Sequence, residues 1–302
     1  MNRILVTGGN GLVGSQFKGG DYQKINSKDY NLINQKEAYH IIKKDWDAVI
    51  HTAAKVGGLG ANMTKKGEFF YQNIMMNTNV IESCRIAEVK NLVVFLSTCV
   101  FPDNTEYPLT EDKIHLGPPH PSNDAYAYSK RMAEVQIRAY REQYGLNYKS
   151  VIPTNIYGPN DNFDITNGHV VPSLIHKCFI ARETNSDFEV WGSGKPLREF
   201  IFNKDVAELT RWVLENYNED EPIILSTSEE ISIKDLVDII ISEMSYKGKV
   251  KWLSDKSDGQ LRKPSDNKKI KNYLPDYKFT PIETGIRETV KWFEENYPNI
   301  RK

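Results

Sequence analysis

The chain has 302 residues, with 39 lysines and arginines against 40 aspartates and glutamates, which leaves a formal net charge of −1 at pH 7. That balance excludes a protein whose affinity comes mainly from nucleic-acid phosphates. Hydrophobic residues make up 39% and charged residues 26%, which is typical of a folded domain and excludes a disordered chain.

The first half of the chain alternates short apolar runs with longer amphipathic stretches. The predicted strands are residues 3–7, 22–26, 47–52, 91–97 and 147–154, and the predicted helices are residues 11–18, 35–44, 67–89 and 124–144. Strands that alternate with helices predict βαβ units and a parallel sheet covered by helices on both faces. The predicted fold class is therefore α/β, with a doubly wound parallel sheet.

The second half is more irregular, because prolines and an Asn/Asp-rich run at 160–168 interrupt the alternation. Helices are predicted at 170–183 and 205–216, and strand-like runs at 187–191, 198–202 and 222–225. Ser232, with Asp235 in the first turn, predicts the N-cap of a further helix. Thr280, Pro281 and Glu283 predict another helix start, with an N-cap at 280, a proline at N1 and a capping-box glutamate.

A glycine-rich turn follows the first predicted strand. Gly8, Gly11 and Gly14 give the spacing G-x-x-G-x-x-G. Gly8 permits a tight turn, Gly11 lets the backbone approach a pyrophosphate, and Gly14 lets a helix and a strand pack closely. The predicted helix 11–18 would present its N-terminus to the phosphates. A strand before the turn and a helix after it favour a Rossmann-type dinucleotide site over a plain βα turn.

The break in the alternation near residue 160 suggests how the chain divides. We expect a dinucleotide-binding Rossmann domain over residues 1–162, to which residues 203–228 return. We expect a smaller, mixed α/β substrate-binding domain over residues 163–302, partly interleaved with the first. The length of 302 residues is enough for one large α/β unit or two modest domains.

The end of the second predicted strand distinguishes NAD from NADP. An NAD site usually has Asp or Glu there to bind the ribose 2′-hydroxyl. This chain has Asn26, Ser27, Lys28 and Asp29. Lys28 suits a 2′-phosphate, which favours NADP(H); the alternative is that Lys28 is solvated and Asp29 binds the ribose.

The predicted helix 124–144 contains a Y-x-x-x-K pattern. Tyr126 and Lys130 are four residues apart and so share one helix face. A desolvated ammonium and an oxidised nicotinamide nearby can lower a tyrosine pKa from its usual value of about 10. Such a tyrosine donates a proton to an oxygen whose carbon has received hydride. Ser97 closes the strand 91–97, at the edge where open parallel sheets bind ligands.

Together, the glycine turn, the strand-end serine and the Tyr/Lys pair resemble the extended, sugar-nucleotide branch of the short-chain dehydrogenase/reductase superfamily. Sugar-nucleotide dehydratases of that branch carry an Asp-Glu pair directly after the serine. Here Thr98 and Cys99 follow Ser97, so the chain lacks the carboxylates that eliminate water and has a thiol where a base is useful.

Further segments resemble the GDP-L-fucose synthase family within that branch. The matching segments are residues 53–58, 153–159, 161–163, 168–172, 191–194 and 256–259. This family consists of bifunctional GDP-4-keto-6-deoxymannose 3,5-epimerase/4-reductases. The resemblance implies NADPH-dependent conversion of GDP-4-keto-6-deoxy-D-mannose to GDP-L-fucose, by a homodimer built through the helices 67–89 and 124–144.

The resemblance also implies roles for individual residues. The cysteine and histidine that match Cys99 and His169 serve as base and acid in epimerisation, and the tyrosine that matches Tyr126 serves in reduction. The implied catalytic set is Ser97, Cys99, Tyr126, Lys130 and His169. The implied cofactor-binding set is Gly8, Asn10, Gly11, Leu12, Val13, Gly14, Lys28, Leu32, Ala53, Lys130, Pro153, Asn155, Ile156 and His169. The implied sugar-nucleotide-binding set is Lys177, Trp191, Arg198 and Asp258.

The implied chemistry is consistent with these side chains. A 4-keto group acidifies the hydrogens at C3 and C5, so epimerisation needs a base on one face of the sugar, an acid on the other, and hydrogen-bond donors near O4. Two alternatives stay open: a relative that acts on another nucleotide-linked 4-keto sugar, and a redox sensor that binds NADP(H) without turnover.

The remaining polar residues carry weaker signals. The other histidines show no metal-ligand spacing, so no metal is expected. A basic run that includes Lys263 and Lys269 is interpreted as a solvated face, with phosphate contacts as the alternative. Cys84, Cys99 and Cys178 are scattered and odd in number, which is typical of a reducing compartment. The first strand-like run leaves no room for a signal peptide, so we expect a cytoplasmic protein.

Overall fold

The computed structural model describes residues 1–256 and 258–302. Ser257, which belongs to the matched segment 256–259, lies outside the described residues. The strands are β1 (Ile4–Thr7), β2 (Tyr22–Ile25), β3 (Ala48–His51), β4 (Asn91–Phe95), β5 (Asn147–Pro153), β6 (Asn155–Tyr157), β7 (Phe188–Trp191), β8 (Leu197–Phe202), β9 (Ile223–Leu225), β10 (Glu230–Ser232) and β11 (Val250–Leu253). The α-helices are α1 (Gln35–Ile42), α2 (Leu59–Thr64), α3 (Lys66–Ile86), α4 (Asp124–Tyr144), α5 (Val170–Thr184), α6 (Asn203–Asn216), α7 (Ile233–Glu243), α8 (Lys268–Tyr273) and α9 (Ile282–Asn296).

Six strands form one parallel sheet in the order β2-β1-β3-β4-β5-β9. Side chains of α1, α3 and α4 pack in a buried cluster on one face, and side chains of α6 pack on the other. Every residue of β1 and β3 is buried, as expected for strands covered on both faces. The predicted doubly wound α/β fold is therefore confirmed.

The strand order places a switch point between β1 and β3. The chain runs from β1 outward to β2 on one side, then returns to build β3, β4 and β5 on the other. The loops that leave the carboxyl ends of β1 and β3 therefore diverge and leave a crevice between them. Open α/β sheets bind their ligands at this place.

The other strands form two small sheets. β8 pairs antiparallel with β10 and parallel with β6, while β11 pairs parallel with β7. Side chains of α5, α7 and α9 pack with them in a third buried cluster. β9 returns to the large sheet beside β5. The domain limits at 1–162 and 163–302 stay a prediction.

The helix predicted at 11–18 is wrong. Only Gly14–Gln16 form a single 3-10 turn, and Phe17 after it is already extended. Gly11 and Gly14 each cost about 1 kcal/mol in a helix, so the segment cannot repay the cost of helix nucleation. The phosphate-binding argument from a helix N-terminus therefore does not hold here.

One of the two predicted helix starts is confirmed. The Ser232 hydroxyl accepts a hydrogen bond from the Asp235 amide at 3.0 Å and caps α7. The Thr280 prediction is wrong, because Pro281 is the N-cap of α9. The Thr280 amide and hydroxyl each donate to the buried carboxylate of Asp205 at 2.8 Å, so that carboxylate takes the hydroxyl that would have capped the helix.

A chain of buried hydrogen bonds joins the sheet to α3 and α4. His51 Nδ1 lies 2.8 Å from Thr7 Oγ1, and His51 Nε2 lies 3.1 Å from Asn77 Oδ1. Asn77 in turn donates to the Ser129 carbonyl at 3.3 Å. Because Asn77 Oδ1 only accepts, His51 Nε2 carries the proton and Thr7 donates to Nδ1. Burial lowers the pKa of His51 to about 3, so this link stays neutral.

Neither a membrane-spanning helix nor a metal-binding cluster occurs among the described residues. No helix within residues 1–256 and 258–302 is both long and apolar enough to cross a bilayer. The same part of the chain holds no group of three or more His, Cys, Asp or Glu side chains arranged to bind a metal ion.

Candidate active site

A cleft of about 820 Å³ opens at the carboxyl ends of the large sheet. Residues that follow β1, β3, β4 and β5 line it. Its volume lies in the range of ordinary cofactor and ligand sites. All of the predicted cofactor-binding residues except Gly14 line this cleft.

The glycine turn forms a backbone cradle at one side of the cleft. Gly8 has a φ of 68°, and a Cβ there would lie 2.9 Å from the Ala53 backbone. The Gly11 amide donates to the Gly8 carbonyl at 2.9 Å and closes the turn. Gly14 is buried beneath it, where a Cβ would collide with that same carbonyl. Only glycines leave this space free, so the turn fits the pyrophosphate of a dinucleotide.

The end of β2 presents a lysine to the cleft. Asn26, Ser27 and Lys28 line the cleft. The Asp29 carboxylate instead accepts a hydrogen bond from the Asn26 amide at 2.9 Å, and Asp29 is not part of the cleft lining. A ribose at this strand end would therefore meet Lys28 rather than a free carboxylate.

Tyr126 and Lys130 lie on the cleft-facing side of α4. Lys130 Nζ donates to the Phe95 carbonyl at 2.8 Å and lies 5.9 Å from the centre of the Tyr126 ring. Burial lowers the pKa of Lys130 to about 8. Burial also raises the pKa of Tyr126, and the nearby Cys99 adds to that rise. Among the protein's own groups, burial and Cys99 therefore keep Tyr126 protonated.

Ser97 and Cys99 follow the end of β4. Ser97 lines the cleft and caps a 3-10 turn at Thr98–Val100, where its hydroxyl accepts from the Cys99 amide at 3.4 Å. Cys99 itself is only 9% exposed. Burial raises the pKa of the Cys99 thiol, while a hydrogen bond with Ser97 and the charges of Lys263 and Lys130 oppose that rise. Burial thus disfavours the thiolate form of Cys99, and the two lysines favour it.

Lys263 is a site residue that sequence reasoning missed. It is half-buried, and burial lowers its pKa while the charges of Cys99 and Asp103 oppose the shift. The interpretation of its basic run as a solvated face is therefore wrong at this position. The sequence held no signal for this electrostatic interaction, because only the fold brings Lys263 near Cys99.

His169 lies at the N-cap position of α5 and lines the cleft. Its Nδ1 is 4.0 Å from Oδ1 of Asp161, which also lines the cleft. Asp161 is buried, and its Oδ2 has no hydrogen-bond partner within the described ranges. Burial raises the pKa of Asp161 to about 6, with the charges of His169 and Arg301 acting against the rise. The sequence places Asp161 in a matched segment but carries no signal for a role of its own.

The Asp161→Asn variant should reveal this buried carboxyl through stability. The pKa of Asp161 in the folded protein is about 6, above the ordinary 3.8. The folded protein therefore binds this proton more tightly than the unfolded chain does, which stabilises the fold at low pH. That contribution is complete below about pH 4 and is lost as the pH rises through 6. Relative to wild type, the asparagine variant should therefore gain on the order of 3 kcal/mol in unfolding free energy between pH 4 and pH 7.

Urea unfolding at several pH values measures this difference. The variant Asp187→Asn, at an exposed position, serves as the control and should track wild type across the range. A difference between Asp161→Asn and wild type that stays constant with pH would contradict the buried-carboxyl interpretation.

The four residues implied for the sugar nucleotide come together as two contacting pairs. Lys177 Nζ lies 4.6 Å from the centre of the Trp191 ring, which is 54% exposed. Asp258 accepts from the Ser193 amide and hydroxyl, each at 2.7 Å. Arg198 donates to the Asp258 carbonyl at 3.4 Å, and burial lowers the pKa of Arg198. Neither pair is part of the cleft lining described above.

The fold and the site have counterparts among known proteins. The family model described as "NAD dependent epimerase/dehydratase family" matches residues 4–226, and the chain belongs to this family. Its relatives include GDP-L-fucose synthases. The one from Dictyostelium discoideum is 47% identical over 313 residues, which cover 99% of this chain and 97% of that protein. The one from Sinorhizobium fredii is 35% identical and covers 97% of this chain and 96% of its own length.

A solved structure agrees with these relatives. The GDP-L-fucose synthetase from Naegleria fowleri bound to NADP superposes with a TM-score of 0.93 at 41% sequence identity. The match covers 100% of this chain and 96% of that one. The likeness therefore extends over both the large sheet and the smaller sheets.

Proposed function

We propose that this chain converts GDP-4-keto-6-deoxy-D-mannose to GDP-L-fucose, by epimerisation at C3 and C5 and NADPH-dependent reduction at C4. The observation that carries the proposal is the set of groups around one cleft. Cys99 follows the cleft-lining Ser97 and interacts electrostatically with Tyr126 and Lys130, while His169 lines the same cleft. The similarity to GDP-L-fucose synthases over almost the whole chain supports the same function.

The cofactor proposed is NADP(H), bound by residues 1–162 together with 203–228, with the substrate bound by residues 163–302. The glycine turn would hold the pyrophosphate, and Lys28 would meet the 2′-phosphate, since Asp29 is already engaged by the Asn26 amide. When bound, NADPH supplies the hydride that C4 of the sugar accepts.

The chain's own groups would carry the proton chemistry. Ser97 and Tyr126 would donate hydrogen bonds to O4 and so stabilise the negative charge that develops there when a proton leaves C3 or C5. Cys99 and His169 would remove and return those protons on opposite faces of the sugar. Burial raises the pKa of Cys99, and the charges of Lys263 and Lys130 oppose that rise, so they would help to form the thiolate, which is the basic form of the cysteine. Tyr126 would donate its proton to O4 in the reduction, so one oxyanion site would serve both reactions.

The nucleotide part of the substrate would be held by the two pairs beyond the cleft. Trp191 is exposed enough to cover the base or the ribose. Arg198 presents a planar guanidinium that suits the diphosphate, and Lys177 adds a second positive charge. Asp258 would position Arg198 and the turn at Ser193.

The test combines the purified protein with GDP-4-keto-6-deoxy-D-mannose and NADPH in deuterated water. We expect loss of NADPH absorbance, deuterium at C3 and C5, and GDP-L-fucose as the product by NMR. NADPH should show a lower KM than NADH, and a clear NADH preference would contradict the role of Lys28. Turnover only with a different nucleotide-linked 4-keto sugar would favour the other epimerase/reductase. Binding of NADPH without turnover of any such sugar would favour a redox sensor.

We also propose a cytoplasmic homodimer through α3 and α4. The three cysteines are free, which suits a reducing compartment. α3 packs along α4, and large apolar side chains stay exposed on both helices. On α3 these are Phe70 and Tyr71, and on α4 they are Tyr128 and Met132. Exposed apolar surface of this kind is typical of a subunit interface.

Met132→Arg should therefore convert the dimer to a monomer, because it places a charge in the centre of an apolar contact. Size-exclusion chromatography with light scattering measures the mass. The control Leu116→Arg changes an apolar residue that is 71% exposed and lies outside both helices, and it should stay dimeric. A wild-type monomer, or a Met132→Arg dimer of unchanged affinity, would contradict the proposed interface.

A further inference from the structure

The glycine turn lacks a feature that commonly helps such turns to bind phosphate. A long helix with its N-terminus at the phosphates contributes a partial positive charge through its macrodipole. Here only the 3-10 turn Gly14–Gln16 follows, which is too short to contribute much. Asn10 in the turn carries no charge. A pyrophosphate on this turn therefore needs positive charge from another part of the chain.

Arg301 brings a charge to this place. Its side chain lines the same cleft as Gly8 and Gly11. Arg301 Nη1 lies 3.7 Å from the position that a Cβ on Gly11 would occupy. Its charge also opposes the rise that burial causes in the pKa of Asp161, which lines the same cleft. The guanidinium thus lies beside the glycine turn, in the same cleft as Asp161.

The backbone at Arg301 is fixed by a contact with the body of the protein. The Phe163 amide donates to the Arg301 carbonyl at 2.9 Å. Phe163 is fully buried and stacks on Trp292 of α9 at a ring-centre distance of 5.8 Å. The segment after α9 is therefore held where its arginine faces the glycine turn.

We propose that Arg301 binds the pyrophosphate of NADP(H) on the glycine turn. The proposal rests on NADP(H) being the cofactor, and it adds Arg301 to the cofactor-binding residues, among which the sequence did not place it. A guanidinium can donate two parallel hydrogen bonds to phosphate oxygens. It supplies the positive charge that the short turn after Gly14 and the neutral Asn10 do not.

Equilibrium titration with NADP⁺ and with 2′-AMP tests this role without turnover. 2′-AMP carries the 2′-phosphate and adenine but has no pyrophosphate. We expect Arg301→Gln to weaken NADP⁺ binding about tenfold and to leave 2′-AMP binding unchanged. Arg301→Lys should weaken NADP⁺ binding less, since it keeps the charge but loses the paired hydrogen bonds. The neighbouring Lys302, whose ammonium lies over the Tyr297 ring at 5.2 Å, provides the control Lys302→Gln, which should bind both ligands like wild type.

Two outcomes would overturn the assignment. NADP⁺ binding by Arg301→Gln as tight as that of wild type would show that the guanidinium does not contact the pyrophosphate. Equal weakening for NADP⁺ and 2′-AMP would instead assign Arg301 to the 2′-phosphate or to the fold. If wild type bound neither ligand, the proposed cofactor itself would be wrong, a result distinct from a failure at Arg301 alone. Unchanged 2′-AMP binding also shows that the variant is folded.

Discussion

Replacement of Tyr126 by phenylalanine should reduce the rate of NADPH oxidation on the 4-keto sugar by about 10²- to 10⁴-fold, the usual contribution of a general acid. Phenylalanine keeps the ring and its packing and removes only the hydroxyl. Burial raises the pKa of Tyr126, so the wild-type phenol is protonated at neutral pH and ready to donate. Lys130 beneath it is fixed by the Phe95 carbonyl and should stay in place in the variant.

Deuterium uptake at C3 and C5 separates the two reactions. Proton removal there would use Cys99 and His169, and Ser97 would still donate to O4 in the variant, so Tyr126→Phe should slow exchange less than it slows reduction. The matched control is Tyr128→Phe on the same helix, at a residue that is 38% exposed, and it should leave both rates unchanged. Reduction at the wild-type rate in Tyr126→Phe would exclude the tyrosine as the proton donor. An equal loss of exchange and reduction would assign the hydroxyl to binding of O4 alone.

Cys99→Ser should slow deuterium exchange at C3 and C5 by about 10²- to 10³-fold, within the usual range for a general base. A serine hydroxyl loses its proton far less readily than a thiol, although the two side chains are nearly the same size. The charges of Lys263 and Lys130 oppose the rise that burial causes in the pKa of Cys99, and the same cations cannot make serine a comparable base. NADP⁺ affinity should be nearly unchanged, because Cys99 is not part of the cleft lining.

Another buried cysteine, Cys178, provides the control for this prediction. Cys178 packs in the third buried cluster, and burial raises its pKa to about 12. Cys178→Ser therefore places the same hydroxyl in an apolar surrounding, far from the proposed chemistry. It should lower stability without lowering the exchange rate. Exchange at the wild-type rate in Cys99→Ser would exclude the thiol as the base.

Local sequence patterns predicted the helices and strands whose limits depend on neighbouring residues. α4 was predicted at 124–144 and has these limits. The helix ends there because Gly145 adopts a left-handed φ of 65° and its amide bonds to the Arg141 carbonyl. The prediction at 11–18 failed because the apolar pattern did not account for the helix cost of Gly11 and Gly14.

Some residues of the site were likewise predictable from local sequence patterns, and others were not. Glycine spacing, the Tyr126/Lys130 pattern and the serine at a strand end were readable because each lies within a few residues. Lys263 interacts electrostatically with Cys99, and Arg301 lies beside the glycine turn, so both join the site from distant segments. Asp161 joins it through the loop that brings it near His169. Such interactions leave no periodicity or spacing in the sequence. For the same reason, the sequence did not predict that the Thr280 hydroxyl donates to Asp205 instead of capping α9.

The burial of Cys99 limits its reaction with oxidants and alkylating agents in solution. Peroxides and alkylating agents attack the exposed thiolate of a cysteine and react slowly with a shielded thiol. Cys99 is 9% exposed, and burial raises its pKa, so oxidants dissolved in the surrounding medium would meet little of the reactive form. The sulfur proposed to remove protons from the sugar is thereby protected from irreversible damage between turnovers.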